Sequence, residues 1–460
     1  MTTPSAQPNL AGVPTNIAYT RRFWVLVFLT GVAAGLATGG LMLLLDFIQH
    51  RCWPYHAGDN LLDAIERATP ARRVLVLLIA GAWIGVGGWV LRHVYKPGIS
   101  LEGTIWFKWG EVPMIATIAR AVWSLVSVGL GMTLGREAAA KQAAGALASG
   151  FADRGGIHPA HHKILVACGV GAGMAAAYNV PFGGAIFAAE VLLGTLSVRL
   201  LMPAIVMCAV ATGVSWLMLP IAPIYAVPAT HLSVATTIWA LAVGPLLGAF
   251  AAVFIKSVAW AGGVKLKPLP AVLAPIATLG LLGILAISVP QLLGNGQESV
   301  QIAFDGGFGL VHSASLPVLK ALLVVACLAC GARGGLFTPS MMIGATFGGL
   351  AAWAWPGLDR GICAMIGATA MLAATTQGPI SSLVMVLELT RHGDTIMVPM
   401  LLAVAGATLT SEWLDGRSIY SARAVGVDGQ RPLPRPMPEV RASQSPAKAK
   451  SKVLRTGTYS

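Results

Sequence analysis

The amino-acid sequence predicts a polytopic membrane protein whose spanning helices are broken. Composition is the first observation behind that reading: of 460 residues, 56% are hydrophobic and 11% charged, with a mean hydropathy of +0.73. Soluble multidomain enzymes do not carry this balance. The second is a set of charge-free runs at residues 23–45, 74–91, 164–189, 200–255, 268–297, 334–358 and 361–387. A hydrocarbon core of ~30 Å takes ~20 apolar residues to cross, so several runs suffice for one crossing and 200–255 for two. The third is punctuation. Glycine and proline interrupt the apolar sequence at 129–135, 169–181, 331–339 and Gly378-Pro379.

Taken in chain order, residues 1–21 form a polar, cytoplasmic N-terminal segment. Its first 20 residues lack the basic start, short apolar core and small-residue cleavage site of a signal peptide, so the run that follows stays as a membrane helix. Asp46 ends that run, and an interfacial position or a local ion pair accounts for it. Basic residues sit at Arg21 and Arg22, in short loops and between 431 and 455. This distribution points to cytoplasmic termini, and the expected location is a prokaryotic inner (plasma) membrane. The net charge of +13 follows from that topology, since no basic face interleaved with aromatics points to nucleic acid. His158, His161 and His162, beside Asp153 and Arg154, read as solvated loop residues. Cys168, Cys208, Cys327, Cys330 and Cys363 lie in apolar sequence and read as packing residues. Cys327 and Cys330 lack the second pair or the histidines of a zinc site. Residues 22–427 make the membrane domain, with a break near 220–235, and 428–460 make a basic cytoplasmic tail rich in Pro, Lys, Arg and Ser. Such a tail stays disordered or lies against anionic lipid.

The breaks carry the functional reading. Irregular backbone at membrane depth is tolerated only where it lines a cavity, because lipid cannot satisfy free N–H and C=O groups. Breaks in corresponding places of two halves point to inverted-repeat transporters with a site near the midplane. Those before Glu137 and Phe337 form such a pair, each Gly-rich and followed by a helix of small residues. A half-helix that begins inside the membrane aims its free N–H groups and positive dipole end at the cavity, which suits an anion. Lys and Arg are nearly absent from the apolar runs. The anion is therefore expected to be held by amides and hydroxyls alone, weakly enough for release. Glu137 is the acid to explain, since a carboxylate at the bilayer centre costs about 2.5–3.5 kcal/mol. A pair with Arg136 at the membrane surface, or a first-turn stabilisation of its own helix dipole, are the bland readings beside a functional one.

Four segments then carry a resemblance. Gly135-Arg136-Glu137-Ala138-Ala139 resembles the G-R-E-G-P motif of the CLC family of chloride channels and chloride/proton exchangers. Gly335-Leu336-Phe337-Thr338-Pro339 resembles its G-x-F-x-P, and Ser418-Ile419-Tyr420-Ser421-Ala422 is similar to the segment with its pore tyrosine. Pro97-Gly98-Ile99, within 96–100, resembles the G-S-G-I-P loop. The stretches from Asn179 to Glu190 and from Gly378 to Tyr420 also read like the family, in the expected order. The resemblance spans roughly residues 22–427.

The resemblance implies an all-α fold of two inverted halves of tilted, broken helices, assembled as a homodimer with an anion path in each subunit. It implies a dehydrated chloride held by backbone amides at Gly98, Ile99, Leu336 and Phe337 and by the Tyr420 hydroxyl, in an anion-binding loop that begins at Pro97, with Glu137 as the gate. It also implies bound chloride, no metal, no cofactor and no enzymatic activity. Departures from the pattern matter. Where exchangers of this kind carry a second glutamate, the residue after Glu190 is Val191, which cannot relay a proton. That favours a voltage- or proton-gated chloride channel, with a chloride or nitrate/proton antiporter as the alternative. Pro97 replaces a serine and removes one hydroxyl donor, and by the resemblance proline there accompanies nitrate preference. Ser100 replaces the motif's proline, and Ala138 and Ala139 replace its glycine and proline.

Two readings of other classes are weighed against this one. An intramembrane serine protease would use Ser215 with His231, but no acid orients that histidine. An organic-acid transporter would need a buried arginine for bidentate carboxylate binding, and Arg333 is its candidate. Glu388, before Arg391, reads as interfacial or ion-paired. Glu190 caps or pairs in a cytoplasmic vestibule, or stands in for the missing proton glutamate.

Overall fold

The computed structural model describes residues 18–95, 100–107, 112–227, 233–391 and 396–424. The N-terminal segment up to residue 17, the basic tail, Pro97, Gly98, Ile99 and His231 lie outside them. Among the described residues every regular element is helical, as the fold class requires. Seven helical segments are long and apolar enough to cross a membrane.

Four helices lead in. These are α1 (Arg21–Cys52), α2 (Leu61–Arg67), α3 (Pro70–Val94) and α4 (Leu101–Phe107). Local chemistry starts them. The Thr20 hydroxyl accepts from the Phe23 amide, Asn60 and Asp63 form a capping box, and Thr69 caps α3 just before Pro70. Each cap satisfies amides that the first helical turn leaves free.

A first set of five follows: α5 (Met114–Gly129), α6 (Glu137–Gly155), α7 (Pro159–Tyr178), α8 (Pro181–Phe187) and α9 (Val198–Ser215). The end of α8 winds into a π turn over Ala188–Leu192. After α10 (Val234–Gly263), α11 (Pro268–Ser288) and α12 (Gln297–Phe304), the same succession returns. It consists of α13 (Leu310–Ala329), α14 (Phe337–Trp353), α15 (Arg360–Thr376), α16 (Pro379–Thr390) and α17 (Met397–Leu414), closed by α18 (Ile419–Arg423). The correspondence reaches single residues. Asn179 after α7 and Gln377 after α15 both take left-handed φ, 57° and 55°, and each is followed two residues later by the proline that opens the next helix. Left-handed residues end helices because they release the chain from the spiral, and proline suits the first turn of the next because its missing N–H is not needed there.

The two sets meet at the centre. Gly135 donates to the Gly335 carbonyl and Gly335 to the Gly135 carbonyl, both at 2.8 Å, an isolated antiparallel bridge between the chain ends that open α6 and α14. Around it α7 and α15 are buried along nearly their whole length, as helices apolar on every side must be. Small residues let them approach their neighbours. A Cβ on Gly344 of α14 would strike the Gly367 carbonyl and Met371 of α15, the backbone contact expected where membrane helices lack a hydrophobic drive between them.

Several expectations change here. His161 and His162 are buried in the first turn of α7, not solvated in a loop, and His162 Nε2 lies 3.2 Å from Ser149 Oγ. His158 supplies the cap of α7 through Nδ1. Ser215 Oγ donates to the Thr212 carbonyl at 2.8 Å and is spent on backbone. Arg333 is exposed, so it does not offer the buried guanidinium an organic-acid carrier needs. The cysteines within apolar sequence are free and buried, and Asp46 makes the local pair expected of it, with His50 at 3.3 Å.

Candidate functional site

Glu137 opens α6 and is completely buried. Its carboxylate does not pair with Arg136 at a surface. Oε1 accepts the Phe337 amide at 2.7 Å and Oε2 accepts the Tyr178 hydroxyl at 3.1 Å. Phe337 is the first residue of α14, where the preceding Leu336 provides no side-chain cap. A carboxylate from one half-helix thus satisfies a free amide of the other. It sits where two N-terminal helix ends converge, a position whose partial positive charge favours any anion.

Tyr178 is a residue that sequence reasoning missed. Its ring packs 5.5 Å from Phe337, the Arg136 guanidinium lies 5.2 Å from its centroid, and its hydroxyl bridges Glu137 to Thr338 Oγ1 at 2.7 Å. The signal was a lone phenol one residue before the Asn179 break, in a helix otherwise free of Phe, Trp and Tyr. Glycine at 135 and 335 makes room for the carboxylate, because a Cβ at either position would fall on the Glu137 side chain.

Tyr420, in α18, presents a second locus. It packs edge-on to Phe187 at 5.6 Å, is 6% exposed, and its hydroxyl has no hydrogen-bond partner among the described residues. Ser418 and Ser421 form the capping box that sets the start of this short helix. Beside it stands Lys141, one helical turn after Glu137 and 4% exposed. The expectation named only amides and hydroxyls here, and the structure adds a lysine ammonium 4.3 Å from the Tyr420 ring centroid. A lysine four residues after a glutamate, alone among alanines, was the overlooked signal.

Of the sequence-predicted residues, the structure brings together Glu137 and Phe337, with Leu336 adjoining, and places Tyr420 beside the Glu137 helix through Lys141. Pro97, Gly98 and Ile99 lie outside the described residues. Val191 is buried in the π turn. Glu190 beside it is a helix cap, accepting the Ile380 and Ser381 amides at 3.1 and 2.7 Å. Glu388 is likewise a cap and is not simply interfacial or ion-paired: it accepts the amides of Phe182 at 3.0 Å and Gly183 at 2.6 Å. Among the described residues no group of His, Cys, Asp and Glu is arranged to hold a metal ion.

The family model described as Voltage gated chloride channel matches residues 100–412 of this sequence, which takes in every described part of the site except α18. The chain belongs to the CLC family. Among its relatives is a voltage-gated ClC-type chloride channel ClcB of Escherichia coli (strain SMS-3-5 / SECEC), 31% identical over 421 residues, covering 86% of this chain and 97% of that protein. The ClcB of Citrobacter koseri (strain ATCC BAA-895 / CDC 4225-83 / SGSC4696) is 30% identical over 429 residues, with the same coverage of 86% and 97%. A slow cyanobacterial Cl-/H+ antiporter superposes with a TM-score of 0.76 at 20% identity, over 88% of this chain and 97% of that one. A CLC-type fluoride/proton antiporter gives 0.69 at 18%, over 88% and 100%. At these identities the structural likeness speaks for the fold: a CLC-type, multi-pass membrane protein. CLC membership makes it a transporter of anions.

Proposed function

We propose that this CLC chain conducts small inorganic anions, chloride foremost, through a path gated by Glu137 in each subunit of a homodimer. One observation carries the reading: a completely buried carboxylate takes the Phe337 amide at 2.7 Å. That amide is a ready anion ligand, so Glu137 acts as a tethered competitor for the site. Ionised, it holds the amide and closes the path. Protonated, it loses the charge that the helix ends favour, and an arriving anion displaces it. The Tyr420 hydroxyl and the loop amides of Gly98 and Ile99, which follow Pro97, supply the remaining contacts, with Leu336 beside Phe337. Residues 22–427 do this work in a prokaryotic inner membrane, with 1–21 and 428–460 as cytoplasmic ends. The protein takes no cofactor and no nucleic acid partner, binds chloride in its path, and catalyses no covalent chemistry.

Coupling to protons has two readings. Val191 supplies no acid next to Glu190, and Glu190 is itself engaged as a cap, which supports a passive channel. The likeness to two solved antiporters supports an exchanger. The test is anion efflux from liposomes holding the purified protein, recorded with an external pH electrode under clamped voltage. Anion flux without proton movement supports the channel; uphill proton movement driven by the anion gradient supports the antiporter. The chloride to nitrate ratio reports on Pro97. Glu137→Gln is expected to make flux nearly independent of pH, and an unchanged pH profile in that variant would remove Glu137 from the gate.

A further inference from the structure

Lys141 has the surroundings of a ligand. Its ammonium lies 4.3 Å from the centroid of the Tyr420 ring, 5.5 Å from that of Phe187 and 3.7 Å from Glu102 Oε1 on α4. The separation from Glu102 is an ion pair too long for a hydrogen bond, and an ammonium has three N–H donors to place. Next to it the Tyr420 hydroxyl is buried with no partner among the described residues. An ammonium has no acceptor to offer, so the phenol proton finds none in the lysine either. Among the described residues, a buried phenol proton without an acceptor and a buried ammonium whose polar neighbours are the Tyr420 oxygen and Glu102 Oε1 therefore converge on one spot. Burial makes unmet donors costly, and an anion between them would satisfy both.

We infer that Lys141 is a direct ligand of the transported anion at the Tyr420 locus, with Glu102 as its counter-ion when no anion is bound. The inference rests on the anion-transport reading and adds a charged ligand to it. The charged and titratable groups facing the ammonium are Glu102 from α4, Tyr420 from α18 and, one turn away on its own helix, Glu137. The lysine also answers the substitution at Pro97. Where the loop resembling the family's has lost a hydroxyl donor, α6 supplies an ammonium. Arrival of an anion exchanges one negative partner of Lys141 for another, and adds one negative charge to the site unless Glu102 turns away or takes up a proton. That makes Glu102 a competitor for the anion, as Glu137 is one turn earlier on α6.

The experiment is calorimetric titration of chloride, and separately nitrate, into purified protein exchanged into a large, non-binding organic anion. Lys141→Met is expected to weaken chloride binding at least tenfold, and Lys141→Arg to retain most of it. Glu102→Gln is expected to tighten binding several-fold, because the competitor is gone. The double variant Lys141→Met with Glu102→Gln leaves no unpaired charge, guarding against misfolding, and is expected to bind as weakly as Lys141→Met alone. Wild-type affinity in Lys141→Met, or its recovery in the double variant, would overturn the assignment and leave the lysine as a partner for Glu102 only. Wild-type protein that neither binds chloride or nitrate nor moves either in liposomes would instead overturn the anion-transport reading itself, and this inference with it.

Discussion

Glu190 and Glu388 exchange places across the repeat. Glu190, in the π turn that continues α8, accepts the Ile380 and Ser381 amides opening α16, and Glu388, within α16, accepts the Phe182 and Gly183 amides opening α8. Neither helix has a side-chain cap of its own, since Val180 and Gly378 stand at the cap positions. Each helix therefore starts only because the other is in place. Hydrogen bonds to a charged group contribute about 1.5–3 kcal/mol, and an unmet helix start costs about 0.5–2 kcal/mol. Glu190→Ala and Glu388→Ala are each expected to lower stability by about 1–3 kcal/mol, with Glu190→Ala the larger because that side chain is the more buried. Thermal unfolding of detergent-solubilised protein measures this. In the double variant the losses should fall short of their sum, because the two caps hold one helix pair.

The same caps bear on proton coupling. If Glu190 were a proton relay, Glu190→Gln would abolish any coupled proton movement while leaving anion flux. As a cap it should change neither proton movement nor anion flux, because a glutamine oxygen still accepts from the Ser381 amide. Parallel anion and pH recordings on that variant decide the point.

Tyr178 donates to Glu137 Oε2, the carboxylate oxygen that the Phe337 amide leaves free, and so would steady the proposed gate in its closed position. Tyr178→Phe removes the bond to Glu137 Oε2 and the one to Thr338 while keeping the ring against Phe337. With one contact fewer to the ionised carboxylate, the path should open at higher pH. The flux–pH curve is expected to move up by about 1 unit, the equivalent of one charged hydrogen bond of ~1.5 kcal/mol. An unmoved curve would mean that the tyrosine serves packing alone.

Gly335 gives a test that leaves the carboxylate itself intact. A Cβ there falls on Glu137, so Gly335→Ala should push the gate off the Phe337 amide and yield higher flux with a weaker pH dependence. Combined with Glu137→Ala, the glycine substitution should add nothing, since its target is gone. A further gain in the double variant would show that it acts elsewhere.

Gly344 lets α14 and α15 pack backbone against backbone. Gly344→Val is expected to destabilise by about 1–3 kcal/mol through overpacking, read as a lower melting temperature with an unchanged flux–pH profile in whatever protein folds.

How much of this was legible in the sequence depended on range. The starts of α6 and α14 stood out because backbone broken at membrane depth has to line a cavity, and Glu137 because a buried acid is costly. Val191 and Tyr420 were found through resemblance. Tyr178 and Lys141 were missed, since a lone phenol and a lone lysine carry no period or motif and acquire meaning only when α7 and α18 arrive beside α6. The reciprocal caps were beyond reach for a related reason: Glu190 and Ser381 are 191 residues apart, and nothing local marks one as the cap of the other. Solvated histidines at 161 and 162 were the local default, overturned because α7 starts earlier than the apolar run and carries them inward.

The Gly135–Gly335 bridge limits how this protein can work. Two backbone hydrogen bonds rivet the halves together where α6 and α14 begin, and sliding one half past the other there would strip both glycines of their partners. Opening is thereby left to side chains. A carboxylate turning about its own bonds costs little and needs no large change of shape, so the traffic through this protein should be nearly indifferent to bilayer thickness or lateral pressure.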